Sequence, residues 1–351
     1  MRDNTEVKID IRNIDKSDLD KFIQELGQPK FKSNQIWEWV WKKSKTDFNA
    51  MRNLPKDLIA TLEENFVFHP VIVDKVQKSN DGTIKSRLKL HDEHLVESVL
   101  IPVEKDNRYT ACVSSQVGCS LTCSFCATGK MKRMRNLGPA EIYDQVVLVD
   151  KQTQEYFDHK LTNIVFMGMG EPLLNYKNLL TSINYICSDE GLGMSPRRIT
   201  VSTVGIAKMI KKLADDDVKF NFALSLHAPT DEKRSKIMPI NETNDLSSLM
   251  EALKYYYSKT KNRISYEYIS FKGFNDTLED AANLFKLTRF FPVKINIIEY
   301  NPIDGVKFEK SLSVSIDNFA KYLRERGVMV TVRRSRGKDI DAACGQLANK
   351  G

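Results

Sequence analysis

No apolar run in this chain of 351 residues reaches membrane-spanning length; stretches such as Ile164–Met169 fall far short of the roughly 20 residues a transmembrane helix needs. The start, MRDNTEVKIDIRNIDKSD, is charged throughout and has no apolar centre for a secretory signal, so a cytoplasmic protein without a membrane partner is expected. No internal repeat or low-complexity tract is visible, which argues against a solenoid and against a biased, disordered tail. Histidine is scarce. His69, His91, His94 and His159 belong to no motif and are expected at the surface or in packing. There are six cysteines, too few in a chain this long without a signal to form a disulfide framework.

What is present supports a sizeable core, with 41% hydrophobic residues. The net charge of +7 permits a polyanionic partner without requiring one. Its distribution is more informative. Lys130, Lys132, Arg133 and Arg135 follow a group of cysteines, Arg197 and Arg198 precede a strand pattern, and Arg333, Arg334, Arg336 and Lys338 precede Cys344. One such cluster would be an ordinary solvated face. Three of them beside chemically suggestive segments point to a nucleic acid.

Residues 1–67 read as a small helical module, an accessory domain ahead of the rest. A helix through Leu19, Phe22, Ile23 and Leu26 ends near Gly27 and Pro29. A second carries Ile36, Trp37, Trp39, Val40 and Trp41, and a third runs on from Pro55. At helical spacing these tryptophans are core residues, with base stacking as the other possibility. Residues 68–107 change to a period of two. They predict a β-hairpin turning at Asp81-Gly82 and a third strand LVESVLIPV, a small β extension joining the module to the rest.

From residue 108 to 351 strand and helix patterns alternate. YTACVSS, NIVFMGMG, RITVSTVG, FNFALSLHA, ISYEYISF and KINIIEYNP are separated by amphipathic stretches, and a last helix leads to VMVTVRRS. Six strand–helix units of this kind predict an α/β fold, a partial and open β/α barrel, since a closed one would need two more units. Functional groups in such folds gather at the C-terminal ends of the strands. The conspicuous motifs all fall there: the cysteines, Gly168-Met-Gly-Glu171-Pro172, Ser202-Thr203, Ser225-Leu226-His227 and Asn301-Pro302.

Cys119, Cys123 and Cys126, spaced CxxxCxxC, put three thiolates on one short loop. Three such ligands suit three irons of a [4Fe–4S] cube and leave the fourth iron open. A structural zinc site, with Cys112 as fourth ligand, is the competing interpretation.

CxxxCxxC after the first barrel strand and GEP after the second resemble the radical S-adenosylmethionine (SAM) superfamily. Cys112-Val-Ser-Ser-Gln-Val-Gly-Cys119, Met167-Gly-Met-Gly-Glu171-Pro-Leu-Leu-Asn175, Ser225-Leu-His-Ala-Pro and Asp339-Ile-Asp-Ala-Ala-Cys344-Gly-Gln-Leu are similar to the RlmN/Cfr group of RNA adenine methyltransferases. The resemblance implies a [4Fe–4S] cluster whose open iron chelates SAM, and two SAM molecules per turnover. It implies that Cys344 takes a methyl group from the first. The deoxyadenosyl radical from the second then activates that S-methyl group, which adds to the base and links protein to RNA. Cys112 resolves the adduct by pairing with Cys344 in a transient disulfide.

Glu97 matches the proton acceptor of the group, a task for which Cys112 competes. Gly170, Glu171, Ser202, Ser225, Leu226, His227 and Asn301 match the SAM contacts. Pro172 and Leu174 are as in the housekeeping members, which methylate carbon 2 of a 23S rRNA adenosine near the peptidyl-transferase centre; the resistance members, which modify carbon 8, carry Ala there. The adenosine 3′ of some tRNA anticodons is a second candidate substrate, flavodoxin or ferredoxin the electron donor, and a monomer the expected state. A zinc-stabilised RNA-binding protein would explain the charge and the cysteines but not GEP, SLH or the Cys344 tail.

Overall fold

The computed structural model describes residues 8–350. Residues 1–7, part of the charged start and of the expected module, lie outside the described residues, as does Gly351.

Ten strands form one sheet, and their spatial order is their chain order. They are β1 (Ile72–Lys78), β2 (Ile84–Lys89), β3 (Leu95–Val103), β4 (Arg108–Cys112), β5 (Asn163–Phe166), β6 (Ile199–Thr203), β7 (Asn221–Ser225), β8 (Ile264–Ser270), β9 (Val293–Glu299) and β10 (Met329–Arg333). Neighbours from β1 to β4 run antiparallel, and from β4 to β10 every pairing is parallel. Three helices, α1 (Lys16–Glu25), α2 (Phe31–Trp37) and α3 (Lys56–Asn65), precede the sheet. The parallel crossovers carry α4 (Pro139–Phe157), α5 (Tyr176–Cys187), α6 (Ala207–Asp215), the short α7 (Asp231–Ile237) with α8 (Leu246–Thr260), α9 (Leu278–Leu287) and α10 (Ser313–Arg324). Parallel strands need such crossovers, which is why the strand and helix patterns alternate. The barrel is open, with β10 and β1 as its two edges.

The small β extension is more than a connector. β3 lies beside β4, with Val99 opposite Cys112, so the antiparallel strands continue the barrel wall itself. Most of β3 is buried on both faces, because α4 covers one side and the end of the chain covers the other. The hairpin loop spans residues 79–83 rather than a two-residue turn, closed by Ser79 N–H donating to Thr83 O (2.8 Å).

The helical module packs on α4 and α5. Trp41 stacks on Tyr185, ring centroids 3.8 Å apart, and meets Tyr143 edge-on, while Trp37 is buried beside it. Trp39 is half-buried, with Lys43 Nζ 3.9 Å from its ring centroid, so two of the three tryptophans are core and the third lies at the rim. A buried Arg12 fastens the same junction. Its Nη1 donates to both carboxylate oxygens of Asp144 on α4 (2.8 Å each), and its Nη2 donates to Asp10 (2.9 Å).

Candidate active site

The cysteine loop leaves β4 and is tied down before it reaches the first thiol. Ser115 N–H donates to Met169 O (2.8 Å), and Gln116–Val117 pairs with Arg135–Asn136 in a short antiparallel ladder. Gly118 turns the chain with φ +72°, and a Cβ there would lie 2.2 Å from Lys132 O, so no other residue fits. Cys119, Cys123 and Cys126 then border a cleft enclosing about 860 Å³ of empty space, open mouth included. Burial pushes the Cys119 thiol up to about 11 and raises Cys123 and Cys126 as well. Thiolates there need a strongly electrophilic centre to stay ionised. Three thiols on one short loop at the edge of one cleft fit a polynuclear cluster, one sulfur to each of three irons.

The strand ends supply the other walls. Gly170 (φ +94°) brings the backbone so close to the cysteine loop that a Cβ would sit 2.5 Å from that of Gln116. Glu171 follows, buried, its two oxygens accepting from Leu173 N–H (3.0 Å) and Val204 N–H (2.9 Å). Burial still outweighs these hydrogen bonds and holds its carboxyl at about 7. Ser202 and Ser225 place their hydroxyls 3.1 Å apart on neighbouring strands. His227 (φ +56°) accepts at Nδ1 from Ile269 N–H (3.1 Å), and Phe125 meets its ring edge-on. Burial, with the Arg234 charge nearby, lowers its pKa to about 3, so it lines the cleft as a neutral imidazole.

Cys344 is exposed and lines the same cleft, on a tail that runs from the β10 edge to the loop after β1, where Ser79 Oγ donates to Asp339 (2.5 Å) and Gly337 N–H to Asp81 (2.9 Å). The other expected residues stand behind the wall. Leu226 is fully buried and its carbonyl accepts from Arg234 Nε (3.2 Å). Asn301 lies under the tail, its amide 3.5 Å from Cys344 O. Cys112 is a free, buried thiol at the end of β4, raised by burial and then by the nearby Cys344. Glu97 is buried on β3, away from the cleft, against the tail.

Two groups here carry no sequence motif. Arg234 is wholly buried on α7 and ties the segment after β7 to that after β6, donating to Leu226 O, Val204 O and Asn241 Oδ1. Glu267 on β8 faces the cleft. One of its oxygens accepts from Asn296 (2.7 Å), and the other is buried without a hydrogen bond, 3.6 Å from Arg333 Nη1. A lone acidic residue inside the apolar strand ISYEYIS was the one available signal. The third basic cluster is anchored within the chain while staying half-exposed: Arg334 and Lys338 pair with Glu299 (2.7 and 2.9 Å), and Arg336 donates to Pro102 O (2.6 Å).

Comparison with known proteins agrees with this arrangement. The family model described as the Radical SAM superfamily matches residues 113–285, and that of the ribosomal RNA large subunit methyltransferase N-terminal domain matches residues 9–68. A probable dual-specificity RNA methyltransferase RlmN from Christiangramia forsetii is 55% identical over 98% of this chain and 97% of its own. The dual-specificity RNA methyltransferase RlmN of Nautilia profundicola is 40% identical over 95% of this chain and 96% of its own. The crystal structure of a radical SAM methyltransferase from Sphaerobacter thermophilus superposes with a TM-score of 0.91 at 37% identity, covering 97% of this chain and 100% of its own. The chain therefore belongs to the RlmN family of radical SAM methyltransferases.

Proposed function

We propose that this protein methylates carbon 2 of an adenosine in 23S rRNA near the peptidyl-transferase centre, and the adenosine 3′ of the anticodon in some tRNAs. The observation that carries the reading is the placement of Cys344: a thiol on a C-terminal tail facing the cleft that the three loop cysteines border, with the buried Cys112 close by. Carbon 2 of adenine lies between two ring nitrogens and is too electron-poor to attack a methyl donor.

When bound, the [4Fe–4S] cluster and SAM supply a one-electron cleavage and a carbon radical. The chain supplies everything else. Cys119, Cys123 and Cys126 would hold the cluster through their three thiolates, with SAM beside it. Gly170 and Glu171 meet the amino end of its methionine moiety, and Ser202, Ser225 and His227 its remaining polar groups; Leu226 and Asn301 support these contacts from behind. Cys344 accepts a methyl group by displacement and delivers its carbon to the base, so one turnover uses two SAM. Cys112 pairs with Cys344 as the product leaves, and Glu97 takes the ring proton.

The reading includes a monomer working in the cytoplasm, with flavodoxin or ferredoxin as electron donor. Residues 1–67 serve as an RNA-binding accessory domain, 68–107 as the β extension and 108–351 as the catalytic barrel. No helix among the described residues is long and apolar enough to cross a membrane.

The test is incubation of the cluster-loaded protein with a 23S rRNA fragment, SAM and a reductant, followed by mass spectrometry of the nucleosides. 2-Methyladenosine is expected. Unmodified RNA, or 8-methyladenosine alone, would overturn the assignment.

A further inference from the structure

The Cys344 tail is held by a pair of buried charges on the β extension. Lys85 on β2 and Glu97 on β3 are 3% and 1% exposed. Glu97 Oε2 accepts from the backbone N–H groups of Ala348 (2.9 Å) and Asn349 (3.1 Å). Lys85 Nζ lies 3.3 Å from Glu97 Oε1, within ion-pair range but out of line for a hydrogen bond, and it donates to Asp341 O at 3.4 Å. The lysine thus grips the chain before Cys344, and the carboxylate grips it after. Asn349 Nδ2 donating to Leu95 O (2.7 Å) seals the far end on the same strand.

A buried ion pair contributes little net stability over a well-packed apolar pair, so packing alone does not account for these charges. Their polar task is visible: a carboxylate binding two backbone N–H groups makes charge-assisted bonds that do not depend on the tail's side chains. Ala342 and Leu347, on either side of Cys344, are buried as well, so the clasp sets the register of a tail that also packs through two small apolar contacts. We propose that Lys85 and Glu97 form a latch, two positioning residues that hold both arms of the Cys344 loop over the cleft.

The latch also constrains the reaction, and here it rests on the function proposed above. While Ala348 and Asn349 occupy Oε2, Glu97 does not face the cleft and cannot meet the base. Latching serves the methylation of Cys344, which needs no RNA. Proton transfer from the base follows release of the tail, which presents the carboxylate. One residue would serve both stages in succession.

Hydrogen exchange and intact mass together test this on the cluster-loaded, full-length protein without RNA. Amide exchange across residues 341–349 should rise about tenfold or more in Glu97→Ala and in Lys85→Met, and return towards wild type in Glu97→Gln, which keeps an acceptor oxygen. Methylation of Cys344 by SAM should slow in the same order. The double variant Lys85→Met/Glu97→Leu leaves no unpaired buried charge, so it keeps the sheet folded while removing the latch; its tail should exchange as fast as that of Glu97→Ala. Wild-type exchange in that variant would overturn the latch. Fast exchange with an unchanged rate of Cys344 methylation would overturn its positioning role. Should wild-type Cys344 never become methylated, the proposed function fails while the exchange result still judges the latch.

Discussion

Two of the cysteines outside the loop differ in setting, and the difference suits the roles proposed for them. Burial raises both thiols, but Cys112 is enclosed at the end of β4, whereas Cys344 keeps surface open onto the cleft. A thiol that must first accept a methyl group needs access; one that acts only after the adduct forms does not. Cys344→Ala should therefore abolish RNA methylation with iron and sulfide content unchanged, because it removes no cluster ligand. Methylated RNA from that variant would refute Cys344 as carrier. Cys112→Ala should still form the adduct but fail to release it, so a covalent protein–RNA species should build up on denaturing gels; turnover at the wild-type rate would assign resolution to another group. The loop triad was legible in the sequence because its spacing is local. Glu267 was not, since its meaning depends on Asn296 one strand away and Arg333 two strands away, a lateral alignment that no single strand's pattern contains.

At the scale of elements, the C-terminal tail shows how tertiary context redirects charge. The basic residues after β10 suggested a nucleic-acid face, yet Glu299 at the end of β9 collects Arg334, Lys338 and Lys310. Burial works against ionisation of Glu299, but these three cations outweigh it and hold the carboxyl at about 2. Because the folded value lies below the unfolded one of about 4.3, the contribution is complete above the unfolded value. It is lost as pH falls from there towards 2. In the neutral range Glu299→Gln should lower stability by roughly 1 kcal/mol, since the three half-exposed cations are screened by solvent. The gap in melting temperature between wild type and variant should narrow steadily as pH drops from about 5 towards 2. A gap independent of pH would mean that the side chain acts through packing rather than charge. The partner carboxylate comes from another strand, so the sequence displayed the cations without their destination.

Across the whole molecule, the sheet was legible because its order is the chain order: each strand needs only its sequence neighbours, and each parallel step needs a crossover helix. Less legible was the attachment of the ends, where the tail spans the open side and the helical module docks on α4 and α5. The module's attachment concentrates on few groups, the tryptophan–tyrosine stack and the buried Arg12 between Asp10 and Asp144. Removing one partner from a buried ionic cluster leaves the others uncompensated, at a cost of about 3–5 kcal/mol. Arg12→Met should thus lower the melting temperature and loosen the module from the barrel, seen as faster amide exchange in α1 to α3 and at the α4 surface beneath them. The cleft lies at the far ends of the barrel strands and shares no residue with this junction. Methylation of Cys344 without RNA should therefore persist, while methylation of RNA falls because the accessory domain no longer presents the substrate in register. If both half-reactions declined in parallel, the module would be supporting the barrel itself; if RNA methylation persisted despite a loosened module, its role in holding RNA would be refuted.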